Sequence, residues 1–167
     1  KASYNLKTYL ALLNSKLVSY ILGCLNATVA TNSDDIHRVP IVKIESMIEE
    51  NIIALCNECI DIKVMINKSS LIEKDFLINP LSNIDTNSLK DRILLYLNNE
   101  NKNIARVLIN EAVLNQIFNK VYELNDEDLL QIETKLGKPV GALPVLKEAC
   151  MAFLGETQIQ SIFPLKR

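Results

Sequence analysis

IVKIESMIEENIIALCNECIDIKVMI, residues 41–66, is the stretch that decides the fold class. Ile44, Ile48, Ile52, Leu55, Cys59, Ile62 and Ile66 recur at steps of three and four, so one side of a helix is apolar throughout. Pro40 stands just before, where a residue with fixed φ and no N–H opens a helix without losing a bond. At about 25 residues and 1.5 Å per residue the helix would run roughly 37 Å, long enough to brace two regions of a larger protein.

Upstream, Leu6, Tyr9, Leu10, Leu13, Leu17, Tyr20, Ile21 and Cys24 predict one opening helix with a single buried stripe, stopped by Gly23. The polar run from Asn26 to Asp35 favours a loop or a short extended segment, leaving through Arg38-Val39-Pro40-Ile41. Downstream, Asn67 to Ser70 ends the long helix, and Ser69 or Ser70 can cap a short one through about Leu77, broken by Pro80.

A turn-rich stretch from Asn79 to Ser88 offers caps for a helix carrying Leu89, Ile93, Leu94 and Leu97, and the Asn-rich run 98–103 predicts an interruption. Ile104, Val107, Leu108, Leu114, Ile117, Phe118, Val121 and Tyr122 then share a face of a further helix. Asn125 caps the next, with Asp126, Glu127 and Asp128 at the positive end of its dipole and Gly137 closing it. Gly137 to Gly141 reads as a turn, and Pro144 opens a helix to Leu154, closed by Gly155. Ile159, Ile162, Phe163 and Leu165 are expected to pack the tail back on the body. The expected fold is mainly α: a helical bundle with long amphipathic helices and at most a short strand or extended loop near residues 28–40.

The chain has 167 residues, 49% of them apolar, which suits one compact helical domain or a piece of something larger. No run of about 18 apolar residues and no charged-then-apolar leader occurs, so neither a membrane span nor a signal peptide is indicated, and the expected compartment is the cytoplasm. The net charge of −2 argues against a protein that coats nucleic acid generally. Its distribution is uneven: residues 1–33 hold Lys1, Lys7 and Lys16 and no acid, while the other 15 of 18 basic and all 20 acidic residues follow. A phosphate-facing surface is therefore expected at the N-terminal end, unless the three lysines only solvate a helix face.

Cys56-Asn57-Glu58-Cys59 has the spacing that zinc or redox chemistry uses. Tetrahedral zinc needs two more ligands, and Cys24, Cys150 and His37 are scattered singles; a redox pair should start a helix. Two core thiols are the expectation. His37 lies among Asp34, Asp35 and Arg38 with no nucleophile at recognisable spacing, and reads as a solvated loop histidine. Glu49-Glu50 and the acids 126–128 read as a solvated face and a capped helix start, so neither a catalytic residue nor a metal ligand set is expected.

Several blocks resemble a known family. Leu12-Leu13-Asn14-Ser15-Lys16, Leu25-Asn26-Ala27-Thr28, Asp35-Ile36 and Val39-Pro40-Ile41 are similar to the C-terminal part of large restriction-modification adenine DNA methyltransferases, including the phage-exclusion (BREX) type. That family reads Leu-Leu-Asn-Ser-Lys, Leu-Asn-Pro-Thr, Gly-Asp-Ile and Leu-Pro-Ile or Leu-Pro-Val. Glu50-Asn51-Ile52, then FLINPL at 76–81, then NEAVLNQIFNKVYEL at 110–124 follow in the family's order, the last matching Leu-Asn-x-Ile-Phe running into Ile-Tyr-Gly-Leu. The resemblance spans roughly residues 9–128. Ala27 stands for the family's Pro and Asp34 for its Gly, and the Trp-rich block after Glu-Asn-Ile is absent, there being no Trp in the chain.

The resemblance implies a piece of a longer enzyme, an expectation in keeping with the absence of an initiating Met before Lys1. Residues 1–41 would end a target-recognition region and 42–167 would form a helical C-terminal region. The family's Gly-rich turn for S-adenosylmethionine and its Asn/Asp-Pro-Pro-Tyr/Phe motif, which holds a flipped adenine, are both missing here. The resemblance thus implies that S-adenosylmethionine binds a preceding catalytic domain and that this chain alone does not transfer methyl groups. Double-stranded DNA, reached through the parent enzyme, and proteins of a defence complex are the expected partners.

What remains is polar readout. Asn bonds adenine edges, Arg and Lys reach guanine or phosphate, and Ser and Thr reach either, so Lys16, Thr28, Thr31, Asn32, Ser33 and Arg38 are the candidate DNA-binding residues. For each the competing reading is a helix cap or turn. For the whole chain the alternative is a non-enzymatic helical protein–protein interaction module.

Overall fold

The computed structural model describes residues 4–25, 32–70, 72–86 and 88–144. Among these the chain is mainly helical, with α1 (Leu6–Leu13), α2 (Lys16–Leu25), α3 (Ser33–His37), α4 (Ser46–Ser69), α5 (Leu89–Val121) and α6 (Asp126–Leu136). Two 3-10 turns, Pro80–Asn83 and Val140–Ala142, complete the described elements, and no strand occurs among them.

The 24-residue α4 is the helix expected from its stripe, with Ile52 and Cys56 buried. It runs antiparallel to α5: Ile48 lies by Ile117 and Val121, Glu58 meets Arg106, and Met65 lies by Tyr96. α1 lies along α4, and the shared core joins Leu12, Val18 and Val39 to Ile44, Ile52, Leu114 and Phe118. Elements before and after Pro40 therefore share one core. Phe118 is fully buried, so truncating it to Ala would cost about 3–5 kcal/mol.

Residues 1–25 do not form one helix. α1 and α2 meet at a 67° bend. Asn14 closes α1 by donating its backbone and side-chain N–H groups to the Leu10 carbonyl, and Ser15 Oγ accepts the Val18 N–H 3.2 Å away as the cap of α2. In α2 Leu17 of the expected stripe is buried, but the buried face of α1 is not the expected one. Leu6, Leu10 and Leu13 are 81%, 43% and 38% exposed, whereas Thr8, Ala11, Leu12 and Ser15 are buried. The small residues let α1 approach α4 closely, and Thr8 Oγ1 donates to Glu49 Oε1 at 3.1 Å, a bond that a larger apolar side chain would not make.

The expected loop gives way, in its described part, to the short helix α3. Asn32 sits at its N-cap, and the Asp35 carboxylate accepts the Asn32 N–H at 3.1 Å, which organises the turn. The segment that follows, 41–45, belongs to no helix or strand, and tyrosines bond backbone groups in it and at Pro40. Tyr4 Oη donates to the Val42 carbonyl and accepts from the Ile44 N–H, while Tyr122 Oη donates to the Pro40 carbonyl at 2.6 Å.

No helix follows Ser70: isolated turns fill the described part of 71–78, and the Leu77 N–H returns to the Lys68 carbonyl near the end of α4. The Asn-rich run does not interrupt α5, which is continuous over 33 residues, about 50 Å. Asn costs a helix only about 0.5 kcal/mol per residue relative to Ala, far less than Pro, and Asn98, Asn99 and Asn101 face solvent. α6 is as expected, with Asn125 and Asp128 in a capping box and Gly137 at φ 70°. The turn after it lies on α5, where a Cβ on Gly141 would be 2.0 Å from the Leu108 carbonyl oxygen. The expected helix 144–154 and the tail lie outside the described residues beyond Pro144.

Candidate functional site

Three of the six candidate residues gather on α3. Asn32 caps it, Ser33 is its first residue and Arg38 follows its last turn, all exposed. His37 is exposed in the same turn, as a solvated residue should be, though in a helix rather than a loop. Thr28 and Thr31 lie outside the described residues.

Lys16 has a different setting. Its backbone N–H donates to Asn115 Oδ1 at 2.7 Å and its ammonium donates to the Leu136 carbonyl at 2.8 Å. That carbonyl is among those left unpaired at the end of α6, so the lysine caps the helix and meets the negative end of its dipole. Lys135 does the same for α2, reaching the Gly23 carbonyl while its ammonium lies 5.1 Å from the centre of the Tyr20 ring. Lys7 donates to Asn57 Oδ1 on α4. Both described lysines of the acid-free N-terminal stretch thus hold helices together.

The residues that sequence reasoning missed lie on α5. Asn115, only 8% exposed, uses both ends of its amide: Oδ1 takes the Lys16 N–H, and Nδ2 donates to the Glu111 carbonyl. Asn110 is fully buried and donates to Glu58 Oε2 at 2.8 Å; Arg106 Nε reaches Glu58 Oε1 at 2.6 Å. Burial acts to raise the Glu58 pKa, but bonds from Arg106 and Asn110 outweigh it and hold the carboxyl below its ordinary value. The available signal was polarity in the wrong register: Asn110 and Asn115 interrupt a run that holds Ala112, Leu114 and Phe118.

An open cavity of about 340 Å³ lies between α1, α4 and α5, lined by Ala11, Cys56, Cys59, Ile60, Val107 and Leu114 among others. Cys56 is buried and Cys59 half-buried, which is the core setting expected of the C-x-x-C pair. Desolvation pushes the Cys59 thiol up to about 11 and the Cys56 thiol upward too, so both remain protonated and unreactive near neutral pH. Among the described residues no group of His, Cys, Asp and Glu could hold a metal ion, and no Gly-rich turn follows a strand to seat S-adenosylmethionine.

Comparison with family models, curated proteins and solved structures gave no match. No single helix among the described residues is long and apolar enough to cross a membrane.

Proposed function

We propose that the chain is the non-catalytic C-terminal part of a site-specific adenine DNA methyltransferase of restriction-modification or phage-defence type, where it braces the target-recognition region and adds contacts to double-stranded DNA. The observation that supports this reading is that blocks resembling the family, distant in sequence, are bonded partners in space. Lys16 of the Leu-Leu-Asn-Ser-Lys block is held by Asn115 of the Leu-Asn-x-Ile-Phe block at 2.7 Å. Pro40 of the Val-Pro-Ile block accepts from Tyr122 at 2.6 Å, and Ile52 of the Glu-Asn-Ile block shares the core with Phe118. Glu123, where the family's block has Gly, takes φ 52°, the conformation for which Gly is the usual choice.

In this reading the bracing role belongs to Lys16, Asn115 and Tyr122, and DNA contact falls to the α3 residues Asn32, Ser33 and Arg38. S-adenosylmethionine and the methyl transfer belong to a catalytic domain upstream, in a cytoplasmic enzyme. The test has two arms. The gene upstream of Lys1 should encode an Asn/Asp-Pro-Pro-Tyr/Phe motif; a short unrelated leader would sink the assignment. A fluorescent duplex should bind the chain weakly at low salt, and Arg38→Ala should flatten the slope of log affinity against log salt by about 0.9. Absence of binding would remove the DNA role and leave the bracing one.

A second reading, a helical protein–protein interaction module, is favoured by the apolar residues left exposed on the first half of α5, where Leu89, Ile93, Leu94, Leu95 and Leu97 are 39–66% exposed.

A further inference from the structure

The stripe of α4 that faces α1 does not stop where α1 does. Cys56, Ile60, Lys63 and Asn67 continue it at steps of three and four, with Cys59 beside them, while the elbow at Asn14 and Ser15 turns the chain away into α2. The cleft left there, about 340 Å³, is of the size at which small-molecule sites begin. Its floor is apolar: Cys56, Val107 and Leu114 are buried and Cys59 and Ile60 half-buried, both thiols uncharged near neutral pH. It opens to solvent, with Leu10 and Val64 at its edge 43% and 45% exposed.

Two opposite charges stand at its rim. Lys63 of α4 and Glu111 of α5 both line the cleft, both are exposed, and neither side chain makes a hydrogen bond or ion pair among the described residues. Neighbouring polar groups are committed elsewhere: Lys7 to Asn57, Glu58 to Arg106, Asn14 to the Leu10 carbonyl, and Asn115 to the Lys16 N–H and the Glu111 carbonyl. The antiparallel register fixes the spacing of the two free charges. Glu58 faces Arg106, so Glu111 lies level with about Ile53, and Lys63 is about ten residues, roughly 15 Å, further along α4. Each side chain leans toward the N-terminus of its own helix, which in antiparallel helices draws the two together, to roughly 10 Å between charges. Glu111 acts electrostatically on Cys59, which lies between the two levels, in keeping with this lean.

We propose that this cleft binds an apolar dipeptide with free ends, its ammonium at Glu111, its side chains on the floor and its carboxylate at Lys63. An extended dipeptide spans about 7 Å, and an ion-paired contact of about 2.8 Å at each end completes the distance. A fatty acid or an apolar amine answers one charge and leaves the other without a partner. A single amino acid carries its two charges too close together to reach both ends. Because both protein charges are exposed, their pairing adds little, and Kd is expected at about 0.1–1 mM.

Titration of the chain with leucyl-leucine, followed by amide NMR shifts, tests this. The expected result is saturating shifts at Ile60, Val107 and Leu114, with affinity weakened about three- to tenfold by N-acetylation or C-amidation of the dipeptide. Glu111→Gln should weaken the free dipeptide by a similar factor and leave the acetylated one unchanged; Lys63→Met should do likewise, with the amidated one as the insensitive ligand. Loss of apolar contact alone would not give that pattern. Both side chains are exposed, so helicity by circular dichroism should be unchanged in either variant; if one misfolds, the capped dipeptides decide on the unaltered chain. Absence of shifts up to about 10 mM overturns the proposal. So does equal affinity for free and capped dipeptides, the result expected if the cleft only seats an apolar side chain of another protein.

Discussion

Glu123 holds the backbone at φ 52° just past the end of α5, where an L residue with a Cβ pays about 1–2 kcal/mol in steric strain. Gly avoids that strain but loses about 0.5–1 kcal/mol through greater freedom in the unfolded chain. Glu123→Gly is therefore expected to stabilise the protein by about 0.5–1 kcal/mol, read as a higher urea midpoint at an unchanged slope. At Glu58 the sign works through protonation. The folded-state pKa lies below the unfolded one, so the bonds from Arg106 and Asn110 contribute stability above the unfolded carboxylate pKa, lost as pH falls through the folded value. Glu58→Gln should flatten the acid limb of a stability–pH profile, and an unaltered limb would show that the fold does not hold this carboxyl below its ordinary value. Neither residue stands out by type: Glu123 declares itself only through φ, and Glu58 only through partners 48 and 52 positions away.

Among the helices, α4 and α6 were legible because each obeys a local rule: a stripe at steps of three and four for one, a capping box and a closing Gly for the other. The α1–α2 elbow was not, because apolar residues surround the segment. With Leu6, Leu10, Leu13, Leu12 and Leu17 all available, periodicity alone could not say which face α4 would take. Ser15 decided it by capping, with Asn115 supplying an acceptor from a distant helix. Asn115→Ala should leave the Lys16 N–H without its partner and cost about 1–3 kcal/mol. Continuity of α5 was missed for the opposite reason, since the Asn run is unfavourable locally but only mildly. At the turn on α5, Gly141→Ala would force a Cβ into the Leu108 carbonyl and should cost about 3 kcal/mol or more, seen as a lowered Tm.

On the scale of the whole molecule, a mainly helical fold is readable from period, whereas residue type alone marks the candidate DNA residues and does not reveal their engagements within the fold. The structure leaves Asn32, Ser33 and Arg38 exposed on α3 and ties Lys16 to α5 and α6. That tie has a consequence in thermodynamic linkage. Only Ile132 of α6 is buried, so this helix should open locally well below the free energy of global unfolding, and its amides should exchange with solvent before those of the second half of α5. The Lys16 ammonium serves the Leu136 carbonyl in the closed form and is released in the open one. Any polyanion that recruits this lysine must compete with the helix end, and by reciprocity must favour its fraying. Hydrogen exchange of residues 126–136 measured with and without a DNA duplex would read this directly: acceleration means Lys16 has changed partners, and unchanged rates mean its charge stays committed to the fold.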